Sequence, residues 1–274
     1  MLGFLGTVKQ RCFFPTPVTG FSYMTSPSPL RSYVIRMVYW TFVLLFASMH
    51  TNVGTAQTSP PRDTVWVDDF ESYPTGQFPS RWVFVKESGG LKSYEEAREP
   101  GEQVFVDAGE TGNQFLHLIV ENEAVRYTLR NGNELDWNVR SHPRLQWRWK
   151  ANHLPEGASE RDKNDAGAAL YVTFGTDWLG RPKSIKYTYS SSLPVGTVVS
   201  FGPLKVIAVD SAREPYTGEW KTVQRDIRSD YRQVFGGSPP KHPLSITVWS
   251  DSDTTGDYAD VQFDDLLLLP PYRR

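Results

Sequence analysis

Cysteine is almost absent from this sequence, which has 274 residues and a single cysteine, Cys12. A lone thiol near the start of the chain excludes a disulfide framework and a cysteine-ligated metal site in the remainder. Basic excess is also lacking, because 29 Lys and Arg stand against 31 Asp and Glu and give a formal net charge of −2. Nucleic acid is therefore not an expected partner, since the chain has no surplus of positive charge to neutralise phosphates.

Familiar catalytic motifs are missing as well. The sequence has no H-E-x-x-H and no G-x-S-x-G, which are the spacings of a zinc protease and of an α/β-hydrolase. Glu121 and Glu123 lie two residues apart after an expected strand, and Asp165 ends a charged loop. Paired carboxylates of this kind can serve a glycosidase, so a polysaccharide hydrolase or lyase stays open as an alternative.

Long hydrophobic runs are absent too, and the most apolar stretch is short. Arg31 and Arg36 precede the apolar residues 38–47, an order typical of a secretory signal peptide. The run falls well below the roughly 20 residues that span a bilayer. We expect residues 1–56 to be a signal segment and residues 57–63 a linker, and the mature protein to be exported, either periplasmic or extracellular, with no stable membrane span.

Residues 1–30 precede that signal pattern and fit it poorly. The hypothesis that translation starts at Met24 or Met37 removes the discrepancy. N-terminal sequencing of the precursor tests this hypothesis.

Period-two alternation dominates the rest of the chain. In PRLQWRWK, Leu145, Trp147 and Trp149 share one face, and in SIKYTYS the same spacing places Tyr187 and Tyr189 together. Alternation of this kind predicts half-buried strands.

The spacing of these strands predicts the fold class. Gly- and Pro-rich turns separate about a dozen strand segments, and only residues 229–235 are typical of a helix, with Asp230 as its cap and Tyr231 and Phe235 on one side. The pattern predicts an all-β, antiparallel β-sandwich of jelly-roll type with one short helix. The D-D-F-E layout of residues 68–71 and the closing F-D-D-L of residues 263–266 resemble the first and last strands of secreted jelly-roll modules, including carbohydrate-binding modules. A single domain is expected over residues 64–270.

The first and last strands of this domain are expected to lie side by side. VWVDDFESYP opens the domain and DVQFDDLLLLP closes it. Adjacent residues on a strand point to opposite faces, so only one of each aspartate pair can join a common site. Asp68 and Asp265 are the candidates for a structural calcium site here, and a solvated polar edge is the alternative.

Aspartate is densest in SDSDTTGDYADVQFDDL, residues 250–266. Asp251 and Asp253 follow the first positions of a calcium loop, but Gln262 replaces the bidentate Glu of its twelfth position. An EF-hand is therefore not expected. Two interpretations remain, a calcium site of different geometry to which Asp257 or Asp260 contributes, and a solvated acidic hairpin loop.

Aromatic residues make up 14% of the sequence and offer a third type of site. Trp178 lies in TDWLGRP, an expected loop, where its ring could stack on a sugar. Trp149, Tyr187 and Tyr189 would form a ligand platform if their face of the sheet is open, and would be core residues otherwise.

Four stretches carry a resemblance to a known family. They are HPRLQWRWKANHLPEGASERDKNDAGAALYVTF, YTYSSSLPVGTVV, GEWKTVQRDIRSDYRQVFGGSPP and VWSDSDTTGDYADVQFDDL. Over residues 65–269 the chain resembles an exported bacterial family, domain of unknown function 3047, and the resemblance implies an exported β-rich domain without an assigned activity. The family pattern places an acidic pair before the strand at 168–174 and an Arg within it, where this chain has Asn164-Asp165 and Ala169.

These observations favour a noncatalytic jelly roll that binds a polysaccharide or another envelope component. Calcium is its one expected cofactor, in a structural role. The alternatives are the hydrolase or lyase that uses carboxylates such as Glu121 or Asp165, and a structural envelope protein without a small ligand.

Overall fold

The computed structural model describes residues 62–85, 90–161, 165–213 and 218–272. The expected signal segment, residues 1–56, and all but the last two residues of the expected linker lie outside this part of the chain. No helix in the described ranges combines the length and the apolar character that crossing a membrane requires. Both sheets and the described core belong to one unit, Thr58–Arg274.

Strands form almost all of the regular structure. They are β1 (Val65–Asp68), β2 (Phe84–Val85), β3 (Leu91–Lys92), β4 (Glu102–Ala108), β5 (Gln114–Glu121), β6 (Ala124–Arg130), β7 (Arg144–His153), β8 (Ala168–Thr176), β9 (Pro182–Ser190), β10 (Val198–Phe201), β11 (Leu204–Ser211), β12 (Lys221–Asp226), β13 (Ser245–Asp251) and β14 (Tyr258–Leu269). The helices are α1 (Tyr94–Ala97) and α2 (Ile227–Phe235). The sequence predicted one helix, so α1, a single turn, is an addition.

Two six-stranded sheets make the sandwich. Sheet A has the order β12-β7-β14-β5-β4, with β1 also paired to β14, and sheet B has the order β10-β11-β9-β8-β13-β6. Strands β2 and β3 form a separate small pair. The predicted β-sandwich is confirmed, with one departure from antiparallel order, because β11 runs parallel to β9.

The first and last strands of the domain are neighbours, as predicted. Trp66 of β1 lies opposite Leu267 of β14 in antiparallel register. Strand β5 pairs with the first half of β14 and β1 with the second half. Both ends of the domain are therefore tied into the same sheet.

The inward faces of the two sheets meet in one aromatic core. Trp149 and Tyr187 are fully buried and Tyr189 is 2% exposed. The ring of Trp149 lies 5.5 Å from Tyr189 and 6.1 Å from Phe263, between centroids. The prediction of a ligand platform at these side chains is therefore wrong, because their shared face is the one that the opposite sheet covers.

Helix α2 closes one end of the sandwich. Its N-cap is Asp226, whose side chain accepts from the N–H of Ser229 at 3.0 Å. The predicted cap, Asp230, is wrong, because that carboxylate is buried and accepts from the Tyr187 hydroxyl at 2.9 Å. Tyr231, as expected, packs against the sheet, with its ring 4.8 Å from that of Phe174.

Candidate functional site

Asp68 is buried and accepts hydrogen bonds from residues that follow β1. Its carboxylate accepts hydrogen bonds from Phe70 N at 3.0 Å, from the Tyr73 hydroxyl at 2.8 Å and from Trp82 Nε1 at 2.9 Å. A buried carboxylate with this many donors is already compensated. The prediction that Asp68 binds calcium is therefore corrected to a role in holding the residues that follow β1.

Asp265 does not join Asp68 either. It lies at an irregularity of β14 with a positive φ of 48°, and its carboxylate pairs with Arg148 at 3.0 Å. The neighbouring Asp264 is 1% exposed and accepts from Asn113 Nδ2 at 3.0 Å. Burial raises the pKa of Asp264 to about 7. The Arg148 guanidinium and the Asn113 amide are therefore the partners of these two carboxylates.

Asp257 also lies apart from the aspartates that precede it. Its carboxylate contacts His153 Nε2 at 3.2 Å and accepts from Glu156 N at 2.7 Å. It therefore ties the β13–β14 turn to the residues after β7. The prediction of Asp257 as a calcium ligand together with Asp251 and Asp253 is wrong.

Three other carboxylates do come together, and we call Asp165, Asp251 and Asp253 the acidic trio. One oxygen from each lies within 4.8 Å of the others, and within the described ranges no other group of three such ligands meets this distance. Asp165 is 1% and Asp251 6% exposed, while Asp253 faces solvent. The sequence predicted the last two as metal ligands but assigned Asp165 only to the enzyme alternative.

Backbone contacts hold the trio in place. Asp165 accepts from Thr254 N at 3.2 Å and from Thr255 N at 2.7 Å, and Asp251 N donates to Ala166 O at 3.1 Å. Burial raises the pKa of Asp251 to about 6, the Lys186 ammonium acts against that rise, and the two neighbouring carboxylates add to it. The like charges therefore repel one another in a partly dry environment.

The segment after β7 was expected to be a simple exposed loop, but part of it packs on sheet B. Glu160 is fully buried and accepts from the Thr188 hydroxyl at 2.7 Å and the Ser190 hydroxyl at 2.6 Å. A Cβ on Gly167 would lie 2.6 Å from Leu154 Cδ2 and 2.8 Å from Pro155 Cδ, so any larger residue here would require these side chains to shift. This packing carries Asp165 to the trio.

An aromatic surface lies beside the trio on the outward face of sheet B. It consists of Arg126, Tyr171 and Trp249, and the buried Lys186 lies beside it. The rings of Tyr171 and Trp249 are half-buried with centroids 5.2 Å apart. The Arg126 guanidinium lies 5.6 Å from the Trp249 ring, and the Lys186 ammonium 5.6 Å from the Tyr171 ring. Trp249 Nε1 donates to Asp251 Oδ2 at 3.3 Å, which joins this surface to the trio.

Strand alternation in the sequence already carries a signal for this surface. Tyr171 follows Leu170, and Trp249 follows Val248, both of which are buried in the core. Alternation along a strand places the next residue on the opposite face. Aromatic residues out of phase with the core were therefore the better candidates for a ligand surface.

The remaining candidates are dispersed. Trp178 is 88% exposed in the turn between β8 and β9, at the end of sheet B away from the trio. Glu121 is exposed at the end of β5, and Glu123 is half-buried in the next turn.

The sequence matches the family described as a protein of unknown function, DUF3047, over residues 103–267, which is more than half of the chain. The chain belongs to this family. The match covers both the acidic trio and the aromatic surface. No curated protein matches the sequence.

Solved structures of similar fold include carbohydrate-binding modules from Clostridium thermocellum. The family 11 module of the cellulosomal cellulase Lic26A-Cel5E is 12% identical, with 79% of this chain and 99% of that chain covered and a TM-score of 0.40. The family 30 module of Cel9D-Cel44B is 14% identical, with coverages of 77% and 99% and a TM-score of 0.39.

An alginate lyase has a comparable likeness. The exolytic PL7 enzyme AlyA5 from Zobellia galactanivorans is 11% identical, with coverages of 74% and 99% and a TM-score of 0.34. A binding module and an enzyme are thus similar to the chain at the same low level. These similarities concern the fold, and no argument about a ligand or a reaction rests on them.

Proposed function

We propose that this domain is exported and binds glycan, without catalysing a reaction, at the aromatic surface of sheet B. The observation that carries the proposal is the half-buried pair of rings, Tyr171 and Trp249, surrounded by charged side chains. The apolar face of a sugar ring can pack on such rings. The polar groups beside them fix its orientation, as in other small-molecule sites.

The polar groups around the rings suit a ligand rich in hydroxyls. Arg126 is half-buried and supplies donors at this surface, whereas Lys186 and Asp251, which are 1% and 6% exposed, contribute charge from behind the rings and no direct contact. Thr128 and Thr247, whose hydroxyls are 2.8 Å apart, lie on the same face of neighbouring strands. These two hydroxyls are buried and bond each other, so the Arg126 guanidinium is the polar group beside the rings that is best placed to bind a sugar hydroxyl.

We further propose that the acidic trio holds a calcium ion. Carboxylate oxygens are the ligands that this hard cation prefers, and each carboxylate can bind through one oxygen or two. The oxygens of Asp165 that accept backbone N–H groups keep free lone pairs, so the donor set fits. The Lys186 ammonium is the feature that opposes a cation here, since it already offsets part of the charge on Asp251. Calcium would neutralise the remaining repulsion and fix the residues around Asp165 beside the ligand surface.

The proposal is tested by binding of residues 58–274 to a panel of soluble and insoluble polysaccharides. Trp249→Ala should weaken binding about tenfold, because an aromatic contact contributes on the order of 1.4 kcal/mol. Trp178→Ala is the matched control, since it removes the same ring from a different place. Melting temperature and circular dichroism establish that both variants are folded.

Two results would overturn this proposal. One is the absence of binding to any polysaccharide of the panel. The other is binding that Trp249→Ala leaves unchanged while Trp178→Ala abolishes it, which would move the site to the other end of the sheet. Release of reducing ends from a bound polysaccharide would instead support the hydrolase or lyase alternative.

A further inference from the structure

The end of sheet B opposite the acidic trio displays large apolar side chains to solvent. Trp178 is 88% and Leu179 54% exposed in the turn between β8 and β9, and Phe201 is 42% exposed at the end of β10. We call these three residues the tip. Soluble domains rarely group exposed side chains of this size at one place unless they contact something.

The two turns that form the tip lie against each other. A Cβ on Gly202 would lie 3.6 Å from a guanidinium nitrogen of Arg181, and Ser184 N donates to Pro203 O at 3.1 Å. Phe201 directly precedes Gly202, while Arg181 closes the turn that carries the other two tip residues. The two turns that carry the tip are therefore neighbours.

The backbone of the tip is satisfied from within. Asp177 Oδ1 accepts from the N–H groups of Leu179 and Arg181, both at 2.9 Å. The same carboxylate pairs with the Arg181 guanidinium at 2.7 Å, and Gly180 has the positive φ of 78° that the turn needs. A preorganised turn thus presents its apolar side chains, and little conformational freedom remains to be lost on contact.

Cations of strands β9 and β11 lie against helix α2, at the end of the sandwich that carries the tip. Lys183 Nζ lies 4.6 Å and Lys205 Nζ 5.8 Å from the ring of Phe235, which ends this helix. Helix α2 exposes two arginines, Arg228 and Arg232, and its one acidic residue is buried. This end of the sandwich is therefore positive, although the whole chain is not.

We propose that the tip docks on an anionic lipid surface. Trp is the side chain best suited to the boundary between headgroups and acyl chains, and Leu and Phe add apolar contact below it. Lys and Arg beside them are attracted to anionic headgroups. An exposed aliphatic side chain such as Leu179 gains little from contact with a glycan but is buried favourably in an acyl layer. Leu179 therefore favours lipid over glycan as the ligand of the tip.

Docking by the tip sets the direction in which the other site points. Strand β8 has nine residues, which corresponds to about 30 Å at 3.3 Å per residue. It begins beside the acidic trio and ends at the tip. A domain held on a membrane by the tip therefore presents the trio and the aromatic surface away from that membrane.

Co-sedimentation with lipid vesicles tests the inference directly. Residues 58–274 are mixed with vesicles of phosphatidylglycerol and phosphatidylcholine, and with vesicles of phosphatidylcholine alone. We expect binding to the anionic vesicles that weakens with added salt. Trp178→Ala and Leu179→Ser should each weaken it at least about tenfold, as expected for loss of a buried apolar side chain. Val195→Ser is the control, because Val195 is 50% exposed in the loop at the other end of β9.

The results separate the two sites. Wild-type protein that ignores anionic vesicles, or tip variants that bind them like the wild type, would overturn the inference. Loss of polysaccharide binding on Trp178→Ala, with no vesicle binding, would make the tip a glycan site instead. Trp249→Ala leaves the tip intact, so its vesicle binding should be unchanged. Polysaccharide binding therefore tests the glycan proposal, and vesicle binding tests the lipid proposal separately.

Discussion

The two ends of the β8–β9 hairpin differ in what they bury. At one end the chain places carboxylates out of water, with Asp165 1% and Asp251 6% exposed. At the other end it leaves Trp178 88% exposed. Burying a charge and exposing a large apolar side chain to water are both unfavourable. Each end of the hairpin therefore carries a feature that a bound partner would stabilise. The cation that would offset the first and the lipid that would cover the second are opposite in character.

The core between the ends supplies the largest expected effect. Trp149→Ala should lower the free energy of unfolding by about 3–5 kcal/mol, because it removes a fully buried ring from an aromatic core. Trp178→Ala removes the same side chain from the surface and should change stability by at most about 0.5 kcal/mol. Chemical denaturation of both variants measures the difference. Equal stabilities would contradict the assignment of Trp149 to the core.

Calcium should act on the acidic end alone. At a hundredfold excess over its Kd a bound ion stabilises the fold by about 2.7 kcal/mol, which raises the Tm of a domain of this size by several degrees. Asp165→Asn should abolish this rise. Asp264→Asn should retain it, because Asp264 is equally buried but lacks carboxylate companions of the required geometry. Identical melting of the wild type with calcium and with chelator would show that the trio binds no such ion.

The buried Asp264 itself should make stability depend on pH. Burial raises its pKa to about 7 in the folded state from an ordinary value of 3.8. A raised pKa means that its contribution is fully present below about pH 4 and is lost as the pH rises through about 7. The Tm of Asp264→Asn relative to that of the wild type should therefore be higher at pH 9 than at pH 5. A difference in Tm that is constant over this range would contradict the raised pKa.

His117 should also make the protein less stable as the pH rises, by a smaller amount than Asp264. Burial by itself would lower the pKa of this imidazole, but hydrogen bonds to Asp260 at 2.8 Å and to Asp107 at 3.1 Å outweigh burial and raise it. The stabilisation is present below pH 6.5 and is lost as the pH rises through the folded value, and it amounts to about 1.4 kcal/mol for every tenfold gain in proton affinity. His117→Gln should flatten the pH profile of Tm between 6 and 9. A profile unchanged by this substitution would show that His117 contributes nothing to the pH dependence.

The β-sandwich could be predicted from the sequence because the alternation of apolar and polar residues is a local signal. Leu145, Trp147 and Trp149 share a face in any strand, whatever lies opposite. Alternation could not show which face the second sheet covers, so a ligand platform and a core position both stayed open for Trp149, Tyr187 and Tyr189, and their burial decides for the core. Tyr171 and Trp249 were overlooked for the same reason.

The acidic trio shows a different limit. The spacing of Asp251 and Asp253 predicted a cation site from local sequence, and it led wrongly to Asp257, the next aspartate along the chain. Asp165 joins the trio through hydrogen bonds from the backbone of Thr254 and Thr255, about 90 residues further along the chain, and no spacing rule encodes such a contact between distant segments. The aspartates of the first and last strands were expected to meet, and those strands do pair, but the local partners of Asp68 and Asp265 keep them apart from each other.

The most direct test of the two-ended account is a crossed binding measurement on residues 58–274. Wild type, Trp249→Ala and Trp178→Ala are each titrated with the best-binding polysaccharide and with anionic vesicles. The account predicts that Trp249→Ala loses only polysaccharide binding and that Trp178→Ala loses only vesicle binding. Loss of both ligands in one variant, with the other variant unaffected, would contradict it, because a single site would then serve the whole molecule.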